Sequence, residues 1–195
     1  MAAYTPQTAA EWKDLGQLWL GALAGWFSSP GIWFAVWGPR RFWALLSATA
    51  FCESRFQKSI VNIDEGAEGL LQYLESTWDD LYPDEATRPL RGDPRAQGYA
   101  AALYIRDRTI GKWGWLWRMA VPLYGYAAFR WTWTHAPSDT FPSWDEMVTF
   151  AKEEQDGECW AAMRWWNLWT LLIAWAGFII PVLSGYGWIR WGRGK

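Results

Sequence analysis

The chain has 195 residues and a formal net charge of -2, which argues against a nucleic-acid-binding protein because such proteins usually carry a basic patch. Charged residues make up only 19% of the sequence, whereas 20 residues are tryptophan. Tryptophan favours surroundings that are apolar on one side and wet on the other, such as membrane interfaces and binding clefts. An ordinary core does not need so many tryptophans, so the composition predicts an amphipathic surface or cleft.

One histidine and two cysteines limit the available chemistry. The single histidine argues against a histidine metal site and against a Ser-His-Asp triad, and His135, which follows an aromatic run, is interpreted as a surface residue. Cys52 and Cys159 are too few for a disulfide framework or a zinc site. The sequence favours two free buried thiols over a single bridge, and no metal or cofactor is expected.

The first apolar segment runs from Leu15 to Pro39 without a charged residue. The residues before it lack the basic start and apolar core of a cleavable signal peptide. The segment is long enough to cross a bilayer, which takes about 20 apolar residues, but Ser28 to Gly31 interrupt it. We predict two short apolar helices around a turn, with ordinary packing favoured over a membrane role.

A helix is predicted from Pro39 to Arg55, since proline suits the first turn of a helix. Phe42, Leu46, Thr49 and Glu53 recur at helical spacing. Glu53 is therefore expected on the same face as residues of the core.

Shorter elements follow. Asn62 to Gly69 is rich in turn residues, and Ser76 is predicted to cap a short helix that ends at Leu81. Arg91 to Asp93 reads as a solvated loop, and a helix is predicted from Pro94 to Ile110.

Two further helices are predicted after that point. Trp113 to Trp133 is aromatic and apolar but carries Arg118 and Arg130, which favours a buried or interfacial helix over a membrane span. In the next helix, Ser143 and Glu146 have the spacing of a capping box.

The segment from Trp165 to Ile189 is uncharged throughout. Aromatic residues cluster at both of its ends, as in a membrane helix, and basic residues follow. The clusters and the basic tail are Trp165, Trp166 and Trp169, then Tyr186, Trp188 and Trp191, then Arg190, Arg193 and Lys195. We predict a membrane helix with a cytoplasmic C-terminus, and a buried hydrophobic hairpin in an assembly is the alternative.

Taken alone, Glu53 is better interpreted as a helix-end charge paired with Arg55 or Lys58. Its surroundings reverse that interpretation. "ESRF" at Glu53, "GAEGLLQ" at Gly66 to Gln72 and "STW" after it resemble the catalytic core of the soluble-lytic-transglycosylase family, within the lysozyme-like superfamily. That family usually has Met where this chain has Leu, a volume-conserving exchange.

The resemblance continues along the chain from about Pro39 to Phe150. Gly92 to Asp107 resembles the helix that lines the back of the family's cleft. "AVPLYGYAAF" resembles its Ala-Tyr-Asn-Ala-Gly segment, so Tyr124 matches the tyrosine that contacts the catalytic Glu or the substrate. Gly125 stands where the family usually has Asn.

The resemblance implies that Glu53 acts twice on peptidoglycan. It would protonate the oxygen between N-acetylmuramic acid and N-acetylglucosamine, then accept the proton of the muramyl C6 hydroxyl as that hydroxyl attacks the anomeric carbon. The product would be a 1,6-anhydro sugar. One carboxylate suffices, and the nearby acids are expected to be solvated or capping residues: Asp64, Glu65, Glu68 and Asp79.

The resemblance also implies roles around the glycan. Ser54, Gln72, Tyr73 and Tyr124 are assigned to substrate binding. Gln72 would offer its amide to the N-acetyl group, and Ser54 would orient the Glu53 carboxyl or a backbone group. Tyr73 would form either an aromatic wall or part of the core. Gly66 and Gly69 would let the loop turn tightly.

The predicted fold is all-α, a lysozyme-like helical domain at 39–155 between a Trp-rich apolar N-terminal extension, 1–38, and a C-terminal membrane or assembly segment, 156–195. Peptidoglycan lies outside the cytoplasm and no signal peptide is evident, so we expect a bacteriophage virion protein delivered into the host envelope. Its partners would be glycan strands, a membrane and other virion proteins. The alternatives are a hydrolysing lysozyme-like endolysin and an inactive ejection or conduit protein.

Overall fold

A computed structural model describes residues 4–28, 38–104, 126–127, 130–131 and 143–173. This part of the chain is mostly helical, which confirms the all-α prediction. Its elements are α1 (Ala9–Ser28), α2 (Gly38–Ser54), β1 (Val61–Asn62), β2 (Ala67–Glu68), α3 (Glu75–Leu81), α4 (Pro94–Tyr104), α5 (Trp144–Glu153), a 3-10 turn (Glu154–Gly157) and α6 (158–173). Several predictions fall outside the described residues: Tyr124, His135, most of the helix from Trp113 to Trp133, and the apolar segment and basic tail beyond residue 173.

Helix α1 ends where the sequence predicted a break, at Ser28. It packs against α4 at very short range because both helices carry a glycine at the crossing. A Cβ atom on Gly21 would lie 1.9 Å from the backbone oxygen of Arg95, and one on Gly98 would lie 2.0 Å from that of Leu18. Within the described residues, no helix combines the length and the hydropathy that crossing a bilayer requires.

Helix α2 confirms the predicted apolar face. Phe42, Leu46 and Thr49 are buried, and the Thr49 hydroxyl donates to the backbone oxygen of Leu45. This face joins a core to which α1, α4 and α6 also contribute. From α6, the fully buried Trp166 packs its ring near those of Trp12, Trp19 and Phe56.

The two predicted helix caps have different outcomes. The Ser143–Glu146 capping box is confirmed, since each side chain accepts a hydrogen bond from the backbone N–H of the other residue, at 3.3 and 2.6 Å. The Ser76 cap is wrong: α3 begins at Glu75, and its N-cap is Leu74, whose side chain accepts no hydrogen bond.

The prediction of two free buried thiols is also wrong. Cys52 on α2 and Cys159 at the start of α6 form a disulfide, with their Cα atoms 5.6 Å apart. The two residues are 107 positions apart in sequence, so the sequence alone gave no sign that their side chains would meet.

Candidate active site

The segment between α2 and α3 is a small hairpin followed by a tight loop. Strands β1 and β2 pair antiparallel, and Glu68 and Tyr73 then exchange two backbone hydrogen bonds of 3.1 Å. The four residues between them turn back with Leu70 and Leu71 fully buried in the core. This loop is the part of the chain predicted to border a substrate cleft.

Gly69 is required in this loop for two separate reasons. Its φ of +84° lies in the left-handed region that side chains disfavour. A Cβ atom there would also lie 2.1 Å from Nε2 of Gln97 on α4. Gly66 has a φ of +67° but open space around it, so only its backbone conformation favours glycine.

Gln97 holds this loop against α4, a role that the sequence analysis missed. Its buried side chain accepts a hydrogen bond from Leu71 N–H at 3.0 Å and donates to the backbone oxygens of Glu68 and Arg91 at 2.7 and 2.8 Å. Three hydrogen bonds satisfy the amide inside the protein. A glutamine on an otherwise apolar, alanine-rich helix face was the available signal.

Ser54 joins the end of α2 to the same loop. Its hydroxyl lies 2.9 Å from the backbone oxygens of Ala50 and of Leu70. The side chain is only 1% exposed, so direct contact with a substrate is ruled out for this conformation. Of the two predicted roles, Ser54 orients the backbone, and its assignment to substrate binding is corrected.

Gln72 has a φ of +49°, and its side chain folds back on the loop. The amide nitrogen donates to the backbone oxygens of Ile60 at 3.0 Å and Gly69 at 2.7 Å. Both amide hydrogens are thereby committed, so Gln72 cannot donate to a sugar as predicted without giving up a loop contact. Its carbonyl oxygen is the part left to accept a hydrogen bond from a ligand.

Tyr73 lies in the core rather than on a cleft wall. It is 2% exposed and packs edge-on against Trp78 with the ring centroids 5.3 Å apart. Burial raises the pKa of the Tyr73 hydroxyl well above its ordinary value, with further contributions from Tyr104 and Tyr82. The predicted aromatic wall is therefore wrong for Tyr73, and the core alternative holds.

Glu53 is bound to a cation, but neither of the two expected residues supplies it. Arg130 donates from Nη1 to Oε1 of Glu53 at 2.6 Å. The expected partners are engaged elsewhere: Arg55 pairs with Glu158 and Lys58 pairs with Asp14.

Arg130 is itself buried, with its side chain 2% exposed. Its second partner is Glu154, in the 3-10 turn after α5, which accepts from Nε at 2.9 Å and also from Nη2. Burial alone would lower the pKa of the Arg130 guanidinium, but the facing carboxylates of Glu53 and Glu154 outweigh burial and raise that pKa. Arg130 therefore stays charged at all relevant pH values.

Tyr126 lies beside this cluster and beneath the disulfide. Its hydroxyl is 3.7 Å from Sγ of Cys52 and donates to it, because a disulfide sulfur carries no hydrogen. Burial is the main cause that raises the pKa of Tyr126; Arg130 opposes this increase, while Glu154 and Glu53 add to it. Tyr126 therefore stays protonated near neutral pH.

The backbone directly after Glu53 is strained. Arg55 and Phe56 have φ angles of +51° and +65°, which residues with a side chain adopt at a cost. The Phe56 N–H donates to the backbone oxygen of Ala50, which ends α2 sharply and sends the chain toward the hairpin. Phe56 is buried, and this packing holds the turn in place.

The other acids near Glu53 in sequence do not join it. Glu68 pairs with Arg91 and Asp79 with Arg88, and the remaining two, Asp64 and Glu65, lie exposed on the hairpin. Asp64 and Glu65 match the expected solvated role, whereas Glu68 and Asp79 form ion pairs that were not predicted. Within the described residues, no group of acids, histidines or cysteines could hold a metal ion.

A groove of about 510 Å³ lies at the end of α2. It is lined by Tyr4, Phe51, Arg55 and Glu158 among others, and Glu53 does not line it. This groove is therefore separate from the predicted cleft.

Comparison of the chain with protein-family models, with curated proteins and with solved structures gives no match. The case for a function rests on the motif residues and on the geometry described above.

Proposed function

We propose that the protein is a peptidoglycan lytic transglycosylase with a lysozyme-like fold and with Glu53 as its acid and base. The observation that carries this proposal is the junction at Ser54. The hydroxyl of Ser54 lies 2.9 Å from the backbone oxygen of Leu70, so the "ESRF" and "GAEGLLQ" motifs form one unit around the end of α2.

The position of Glu53 supports a role in catalysis, because its side chain can be reached by a substrate from solvent. Its side chain is 20% exposed, although it projects from a helix whose neighbouring turns are buried. Among the described residues, Arg130 binds Oε1 and no hydrogen bond reaches Oε2. The second oxygen can therefore face a glycosidic bond while the first is held.

The proposed reaction needs only this carboxyl group. Protonated Glu53 gives its proton to the oxygen that links N-acetylmuramic acid to N-acetylglucosamine, and the bond from that oxygen to the anomeric carbon breaks. The muramyl C6 oxygen then bonds to the anomeric carbon, and the Glu53 carboxylate accepts the proton of that hydroxyl. The products are a 1,6-anhydro-muramyl end and a free N-acetylglucosamine hydroxyl, with no water consumed.

The contacts of Glu154 support this reaction rather than hydrolysis by a pair of acids. It is the second carboxylate of the cluster, but two hydrogen bonds to Arg130 occupy it, and its side chain is 12% exposed. A hydrolase that uses a water nucleophile needs a second carboxylate that is available to that water. Glu154 is committed to the ion pair instead.

The ion pair of Glu53 supports a second candidate, a virion conduit protein in which the lysozyme-like domain has no activity. A general acid must hold a proton, whereas a carboxylate that binds a buried guanidinium serves first as its counter-charge. In the transglycosylase, Glu53 must carry a proton when the sugar is bound. In the conduit, the pair would only stabilise the fold.

Digestion of purified peptidoglycan, followed by mass analysis of the products, separates these candidates. We expect anhydro-muropeptides from the wild type and a decrease in rate of about 10²–10⁴-fold in Glu53→Gln, the usual range for general acid–base catalysis. Glu85→Gln is the matched control, because Glu85 is exposed in the loop after α3. Reducing-end products would indicate the endolysin, and no products from the wild type would support the conduit.

We further propose that the protein is carried in a phage particle and reaches the peptidoglycan in the host envelope, with membrane contact through the Trp-rich flanks. Exposed apolar side chains on α6 support this part of the proposal: Leu168, Trp169, Leu171, Leu172 and Ile173. Immunoblotting of purified particles tests it, because a protein confined to infected cells and missing from particles would refute the virion assignment.

A further inference from the structure

The cluster of Glu53, Arg130 and Glu154 is asymmetric. Glu154 takes two hydrogen bonds from the guanidinium, at Nε and Nη2, whereas Glu53 takes one, at Nη1. A bidentate pair fixes the plane of a guanidinium much more firmly than a single bond does. Glu154 therefore sets the orientation of Arg130, and Arg130 in turn sets the position of one oxygen of Glu53.

The charges of the cluster also do not cancel. One guanidinium faces two carboxylates, and all three side chains are largely shielded from water, at 2%, 20% and 12% exposure. The buried cation stabilises both carboxylates, but each carboxylate disfavours the charge of the other. The other titratable group that interacts with this cluster among the described residues is Tyr126, which is neutral.

We propose that Glu154 is a positioning residue for Glu53: by binding Arg130 side-on, it fixes the guanidinium and leaves Glu53 with one held oxygen and an accessible proton-transfer oxygen. This role rests on the proposed function. Glu154 itself contacts no substrate and acts only through Arg130.

Removal of the Glu154 charge has a defined consequence. In Glu154→Gln, Arg130 keeps its hydrogen bond to Oε1 of Glu53 but loses a charged competitor for the guanidinium, and the repulsion between the two carboxylates is gone. Both changes favour the charged form of the Glu53 carboxyl over the protonated form. Since the first step requires protonated Glu53, activity on the alkaline side of the pH profile decreases.

The first test measures Glu53 directly, by ¹³C NMR titration of its side-chain carboxyl in wild type and in Glu154→Gln. We expect the carboxyl signal to change at lower pH in the variant than in the wild type, because the facing carboxylate charge is gone. Equal midpoints in the two proteins overturn the proposal. This readout does not require activity, so it remains decisive even if the wild type cleaves no peptidoglycan and the proposed function fails.

The second test uses the pH dependence of kcat/KM, with Glu158→Gln as the matched control. Glu158 pairs with Arg55 at the surface and touches neither Glu53 nor Arg130 in the structure. We expect the alkaline limb to move to lower pH in Glu154→Gln and to stay in place in the control. A uniform loss of rate with an unmoved limb would identify a purely structural role and refute the proposal.

Discussion

Reduction of the Cys52–Cys159 disulfide should lower the thermal stability of this protein strongly. The bond joins residues 107 positions apart in sequence, so it closes a long loop in the unfolded chain. In the chain-entropy model, a loop of about 100 residues contributes about 4.7 kcal/mol. For a protein of this size each kcal/mol changes Tm by about 2–4 °C, so we expect a decrease of about 10–20 °C.

The assay is thermal unfolding followed by circular dichroism, with and without a phosphine reductant. Alkylation and mass measurement of the same samples count the thiols before and after reduction. The control is the double variant Cys52→Ala/Cys159→Ala, whose Tm should not respond to the reductant. The comparison within the wild type isolates the bond, because the side chains that pack around both cysteines are unchanged.

Two results would refute this reasoning at different steps. If both thiols are alkylated after reduction and Tm does not move, the loop-closure argument is wrong for this chain. If protein purified under oxidising conditions already has two thiols that alkylate, the bond does not form, and the interpretation from the sequence is restored.

Two further predictions concern local structure. Gly69→Ala should destabilise the protein more than Gly66→Ala. Both substitutions incur the left-handed backbone cost of about 1–2 kcal/mol, but only Gly69→Ala also places a Cβ atom against the Gln97 amide. Equal losses of stability for the two variants in urea denaturation would contradict this account. The hydrogen bonds from Ser143 lower the pKa of Glu146, so their stabilisation is present above the ordinary pKa of glutamate and is lost as pH falls through the lowered value. The decrease in urea midpoint between neutral and acidic pH should therefore be smaller in Glu146→Gln than in the wild type, and identical pH dependence would refute this role of Glu146.

Structural features that depend on a few neighbouring residues could be predicted from the sequence. The buried face of α2 follows from the spacing of Phe42, Leu46 and Thr49, because a helix brings such positions together whatever surrounds it. The Ser143–Glu146 capping box is equally local. The Ser76 cap failed because α3 begins one residue earlier, at Glu75, and the extended residue before it is Leu74.

The partners of Glu53 could not be predicted in the same way. Local spacing points to Arg55 and Lys58, but the left-handed turn after α2 directs Arg55 toward Glu158 instead. Arg130 is 77 residues from Glu53, and only the folded chain brings them together. An arginine in an aromatic, apolar segment nevertheless signals that a buried carboxylate is needed somewhere, because an unpaired buried charge is very costly.

The site also depends on parts of the chain that resemble no transglycosylase motif. Glu154, which anchors Arg130, is followed within a few residues by Cys159, which is bonded to the neighbour of Glu53. Farther along α6, Trp166 packs against the rings of α1. A chain cut after residue 155 would keep the motifs and Glu154 but lose both the covalent and the aromatic attachment of that segment. The described residues from α1 to α6 therefore contribute to one core, and the disulfide from α6 attaches that segment directly beside Glu53.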